Sequence, residues 1–140
     1  MVDRSSRRLG RSFLALFAGF LVVLVLSLTA DILLYRFGVS PAPGQRMPDR
    51  LLLVALAYRT VFAVLGSYLT ARLAPYGPML HAMTGGVIGF CIGMAGVLGT
   101  WNSPQAAGAH WYPILVAVVA LPAAWIGGSL YRNPAAATTA

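Results

Sequence analysis

Four long stretches of this chain carry almost no charge, and they limit what it can fold into more than any other feature. Ser12 to Ala30 is free of formal charge and resumes past Asp31 to Tyr35, and Leu51 to Ala71 is broken only by Arg59. Leu73 to Thr100 carries no formal charge, and Trp111 to Tyr131 is apolar throughout. A hydrocarbon core of about 30 Å requires about 20 apolar residues in a helix. Each stretch is apolar all round and lacks a polar stripe, which predicts spanning helices and not the amphipathic helices of a soluble bundle. With 59% hydrophobic and 9% charged residues among 140, the chain lies far from soluble composition. A soluble enzyme, a disordered chain and a disulfide scaffold are all excluded on this ground.

The expected fold class is all-α, an integral membrane antiparallel four-helix bundle with spans at about 12–36, 51–73, 79–100 and 112–132. Residues 1–11 read as a basic cytoplasmic tail and 133–140 as a frayed cytoplasmic tail. Gly38 to Asp49, with three prolines and two glycines, is a connection no helix interior would carry. Ala74-Pro75-Tyr76-Gly77-Pro78 is a tight hairpin, and Asn102 to His110 a short polar loop. The first apolar run is longer than a signal core and lacks the small residue of a cleavage site at Leu28, so it is expected to stay as a span.

The net charge of +7 comes from ten arginines against three aspartates. With the N-terminus in the cytoplasm, Arg4, Arg7, Arg8, Arg11, Arg72 and Arg132 lie inside, and Arg36, Arg46 and Arg50 lie outside. This asymmetry predicts N-in and C-in. The basic charge then reads as topology and as affinity for anionic headgroups; nucleic acid is not an expected partner. Trp101, Trp111, Tyr112, Tyr131, Tyr35 and Tyr76 fall near span ends, as an aromatic belt requires.

Asp31 and Arg59 are the two charges inside spans. Such charges are costly in lipid and face protein or water, often paired. Both fall in the outer leaflet, so a direct pair is expected. Ser27, Asp31 and Tyr35 recur at four-residue spacing, and Ser27, Tyr35 and Tyr58 are the polar neighbours of the pair. Ala55, Arg59, Ala63, Gly66 and Thr70 share a face that is small apart from the arginine. The pair serves either as a structural clasp that sets helix register or as a polar station in a permeation path.

Span three holds a GxxxGxxxG run at Gly85, Gly89 and Gly93, which Gly96 continues near the same face. Missing side chains let helices approach closely in lipid. The expected contact is within the chain; a homo-oligomer seam is the alternative. Pro122, far from either end of span four, predicts a kink.

Catalytic and metal-binding patterns are missing. His81 and His110 are expected on opposite sides of the membrane, Cys91 is the single cysteine and is expected to be a buried, inert thiol, and no CxxC, HExxH, GxSxG or Walker-type loop occurs. Neither a cofactor nor a metal is expected, and no enzyme activity.

Tyr58-Arg59-Thr60-Val61-Phe62 and Gly66-Ser67-Tyr68-Leu69-Thr70-Ala71-Arg72-Leu73-Ala74-Pro75 carry a resemblance. So do His81-Ala82, the Gly85–Gly93 run, Trp111-Tyr112-Pro113-Ile114 and Leu121-Pro122-Ala123-Ala124-Trp125-Ile126-Gly127-Gly128. From about Ala57 to Arg132 the chain resembles a group of small four-span bacterial inner-membrane proteins with no assigned activity. The resemblance implies four spans and the bacterial inner membrane. The leading expectation is a non-enzymatic accessory or assembly component, alone, as a homo-oligomer or in a larger membrane complex. The alternative is a small oligomeric channel or transporter with Asp31 and Arg59 in the path. A cavity reaching either residue separates the two.

Overall fold

The computed structural model describes residues 4–41, 45–103 and 109–131, with side chains from Leu9 onward. It contains four helices and, among the described residues, no strand: α1 (Arg4–Arg36), α2 (Asp49–Leu73), α3 (Pro78–Thr100) and α4 (Trp111–Leu130). All four are long and apolar enough to cross a membrane, which marks the chain as multi-pass.

The expected helix limits agree with these within a residue or two, except at the start. The segment read as a basic tail is helical from Arg4, making α1 33 residues long. At 1.5 Å per residue it extends about 50 Å, well beyond a hydrocarbon core of about 30 Å. Arg, Ser and Leu are adequate helix formers, and Gly10 alone does not offset propagation of a helix already nucleated within lipid. Arg132 and the C-terminal tail lie outside the described residues.

The helix ends follow from local chemistry. Gly38 adopts φ +68°. That left-handed residue turns the chain so that the Gly38 amide donates to Tyr35 O at 3.0 Å and the Val39 amide to Leu34 O at 2.9 Å. This is the Schellman closure, which uses otherwise orphaned carbonyls. Gly77, at φ +48°, precedes Pro78 at the first position of α3, where a missing N–H costs nothing.

Packing is inverted relative to a soluble protein. Among the described residues, eight of the ten buried apolar ones are alanines, and no large side chain is fully buried. Phe13, Leu24, Leu53, Val61, Leu98 and Trp125 are all at least half exposed on the outside. In water this surface would be an interaction patch over the entire molecule; in lipid it is the solvent face, and small residues bring the helices together.

α4 packs against α2 and α3, and α1 packs on α2 with a lighter contact to α3, while α1 and α4 do not pack against each other. Glycines set these approaches. A methyl on Gly66 would overlap Val23 of α1 and sit 2.8 Å from Gly19 O. One on Gly93 would lie 2.8 Å from Ala117 Cβ, and one on Gly86 would overlap Ala124. Gly127 abuts Ser67 of α2 and Gly128 abuts Met79 and Ala82 of α3.

The glycine face expected at Gly85, Gly89, Gly93 and Gly96 is therefore corrected in register. Gly86 and Gly93 make the tight contact with α4, seven residues apart, because two turns of helix return to nearly the same face. Gly85 turns toward Leu16 of α1, Gly89 meets Ala120 and Phe20 at ordinary contact distance, and a methyl on Gly96 would meet nothing within 4 Å. α4 continues as one helix through Pro122, beside the buried Ala123 and Ala124.

Candidate functional site: an intramembrane clasp between two cavities

Arg59 lies ten residues into α2, about 15 Å from its start, and Asp31 lies five residues before the end of α1. The close Gly19–Gly66 approach brings these two helices together, and the Gly38 turn returns the chain toward α2. Arg59 Nη2 donates to Asp31 Oδ2 at 2.6 Å, with side-chain exposures of 33% and 38%. Tyr58 Oη donates to the other oxygen, Asp31 Oδ1. Both carboxylate oxygens are thus engaged, each by a donor from α2, and the pair expected from the sequence is present with a third member.

Arg59 is only partly used. Its Nε is enclosed and has no hydrogen-bond partner. A buried donor left unmade costs about 1–3 kcal/mol, so this position requires an explanation.

The spaces around the clasp bear on that. Toward the 37–48 loop lies a cavity of about 560 Å³, lined by Asp31, Tyr35, Tyr58, Arg59 and Tyr112 and by loop residues including Gln45 and Met47. On the other side lies a cleft of about 300 Å³, lined along α2 from Leu56 to Thr70. That is fourteen residues, about 21 Å. Residues of all four helices line the cleft, among them Phe20 of α1, Gly89 of α3 and Ala120 of α4. Among the described residues, Arg59 alone lines both spaces.

The Ser27–Asp31–Tyr35 series on α1 is divided by this arrangement. Ser27 is buried and faces the cleft, whereas Asp31 and Tyr35 face the larger cavity. Thr60 and Thr70, which also line the cleft, donate their hydroxyls to the carbonyls of Leu56 and Gly66 at 2.7 and 3.0 Å. Their protons are committed to the backbone, and among the described residues Arg59 is the only charged one lining the cleft.

Two features were not legible as such. Tyr112, read as part of an aromatic belt, lines the larger cavity beside Arg59. Its position at the start of α4 placed it equally well at an interface. His81 is buried and links helices: its Nε2 lies 2.9 Å from Ser12 Oγ of α1 and its Nδ1 3.2 Å from Gly77 O. With Nδ1–H donating to the carbonyl, Nε2 is left to accept from the serine hydroxyl. His110 stacks on Trp101 at 4.3 Å between ring centroids, so the two histidines occupy opposite ends of α3. Among the described residues no group of His, Cys, Asp or Glu is placed to hold a metal.

Cys91 is exposed on the outer surface of α3, which corrects the expectation of a buried thiol; the cleft and the α4 contact occupy other faces of that helix.

Comparison with known protein families, curated proteins and solved structures found no match.

Proposed function

We propose that this protein is a small membrane channel or transporter in which the Asp31–Tyr58–Arg59 clasp is the closed gate between an outer vestibule and an inner cleft. The observation that carries this reading is the shared position of Arg59, which lines both cavities. A clasp serving only assembly needs no cavity on either side, and dispersion would favour filling both.

In this reading the helices form an antiparallel bundle with both termini cytoplasmic, in the inner membrane of a bacterium. The excess of arginine before α1 and at Arg72 supports the orientation, and the resemblance of 57–132 to small bacterial inner-membrane proteins supports the location. The vestibule then faces outward and the cleft runs toward the cytoplasmic leaflet. The protein is not an enzyme and uses no cofactor. Anionic headgroups hold the basic start of α1. A second reading, an accessory or assembly subunit, alone or as a homo-oligomer, draws on the open small-residue surface at Gly96 and Gly99, where an added methyl would meet nothing within 4 Å.

Cysteine labelling in intact cells tests the gate. In a Cys91→Ser background, a charged thiol reagent added outside is expected to modify Met47→Cys quickly and Ser67→Cys slowly. Asp31→Asn, by opening the clasp, is expected to raise the Ser67→Cys rate at least tenfold. A Met47→Cys protein that is unreachable from outside would remove the vestibule, and an unchanged Ser67→Cys rate would remove the gate.

A further inference from the structure

We propose that the outer vestibule binds a small zwitterion, an ammonium carboxylate of the amino-acid or betaine class, which opens the clasp by replacing each partner for the other. Its carboxylate takes the place of Asp31 on Arg59, and its cationic end lies between Asp31 and the tyrosines of the vestibule. This inference names the ligand class for the gate proposed above and rests on that reading.

Charge balance selects the class. Asp31 and Arg59 are joined through Oδ2 and Nη2 and neutralise one another, and their side chains keep 38% and 33% exposure. A lone anion that displaced Asp31 would strand that carboxylate without its cation. A lone cation drawn to Asp31 would strand Arg59 in the same way. An uncompensated charge within a span is costly. A solute carrying both charges compensates both residues at once. An uncharged polar solute strands neither, but it has no charge to exchange and leaves the clasp closed.

The walls fit the cationic end. Tyr35 of α1, Tyr58 of α2 and Tyr112 of α4 line the same space as Asp31. Aromatic rings attract a cation to their negative faces, and quaternary ammonium groups are recognised in this way. Asp31 also has acceptor capacity to spare. A carboxylate offers about four lone-pair sites, and Tyr58 and Arg59 each use one, on different oxygens. At the other pole Arg59 Nε is enclosed, so a ligand carboxylate meets the guanidinium at the Nη end that Asp31 now uses. The vestibule, at about 560 Å³, falls within the range of about 300–1,000 Å³ typical of small-molecule sites.

Glycine betaine, choline and 3,3-dimethylbutyrate share one branched end and differ in charge as zwitterion, cation and anion. Isothermal titration calorimetry of the detergent-solubilised protein is expected to show betaine binding at least tenfold more tightly than either of the others. Tyr112→Leu removes a ring and should weaken betaine at least fivefold, whereas Tyr112→Phe should weaken it less than twofold. Asp31→Asn leaves Arg59 without its counter-charge and should invert the preference, placing 3,3-dimethylbutyrate ahead of betaine. A purely structural loss would lower all three affinities alike. Circular dichroism at wild-type helix content confirms folding, and Tyr112→Leu, outside the ion pair, carries the test if Asp31→Asn loses helix. In the Cys91→Ser background, external betaine should raise the Ser67→Cys labelling rate at least threefold, and choline should not.

Absence of betaine binding, a wild-type preference for choline or 3,3-dimethylbutyrate, or an unchanged preference in folded Asp31→Asn would overturn the zwitterion site. Betaine bound without faster labelling would overturn the exchange. If Asp31→Asn itself leaves Ser67→Cys labelling unchanged, the gate falls separately, and the inverted preference still decides the ligand.

Discussion

Replacing Asp31 with Asn isolates the electrostatic part of the clasp, because Asn keeps the shape and one acceptor oxygen. Breaking a fully buried pair by removing one partner costs about 3–5 kcal/mol, whereas a fully exposed pair contributes about 0–1 kcal/mol. The Arg59 and Asp31 side chains retain 33% and 38% exposure, which places this pair between those limits. A loss of about 2 kcal/mol is expected, roughly a 30-fold shift in the folded-to-unfolded ratio. The measurement is helix content by circular dichroism during titration of the micelle-bound protein with sodium dodecyl sulfate. Asp31→Asn combined with Arg59→Gln completes a double-mutant cycle. A direct pair should give an interaction energy of about 1–2 kcal/mol, and exchanging the two charges should regain about half the loss. An interaction energy below about 0.3 kcal/mol, the scatter of independent sites, would refute the reasoning.

Other consequences follow from individual contacts. Tyr58→Phe removes a donor to a carboxylate that remains paired with Arg59, so a loss of about 1 kcal/mol is expected in the same titration. Gly93→Ala sets a methyl 2.8 Å from Ala117 Cβ and should cost about 1–3 kcal/mol through overpacking, with Ala117→Gly recovering most of it. Gly96→Ala, which meets nothing within 4 Å, should stay within about 0.5 kcal/mol of wild type, which makes it the control for that helix. Ser12→Ala takes away the hydroxyl partner of His81 Nε2 and should cost about 1 kcal/mol. A neutral result there would mean that the ring is held by Gly77 and the neighbouring Tyr76 alone.

What the sequence made legible was whatever lipid makes expensive. A charge in a span must find a partner, so Asp31 and Arg59 could be matched from position alone. The prolines and glycines at 38–49 and 74–78 marked the breaks for the same kind of reason. Register was not legible, because six glycines in α3 offer several faces and only the positions of Ala117, Ala120 and Ala124 decide that Gly86 and Gly93 make the close contact with α4. Gly89 reads in the sequence as part of a close-packing face, yet it borders the cleft, where an added methyl would meet Ala120 and Phe20 only at 3.7 and 3.8 Å. The roles of Tyr112 and His81 depend on neighbours from other helices, which no spacing within one helix encodes. The cavities were invisible for a related reason: an empty volume is a property of four helices at once.

The alanine-rich interior inverts the usual logic of a mutational survey. Truncating side chains to alanine probes a core by making holes, yet among the described residues eight of the ten buried apolar positions already hold alanine. Such a scan would mostly sample the surface that meets acyl chains, where one hydrocarbon contact replaces another. The informative scan here is one of enlargement, valine or leucine introduced in turn at small positions. Its map should be two-valued, with damage where helices touch and tolerance where Gly89 and its neighbours border open volume. Natural variation in such a chain should obey the same rule, drifting freely among large apolar residues outside and holding residue volume nearly constant within.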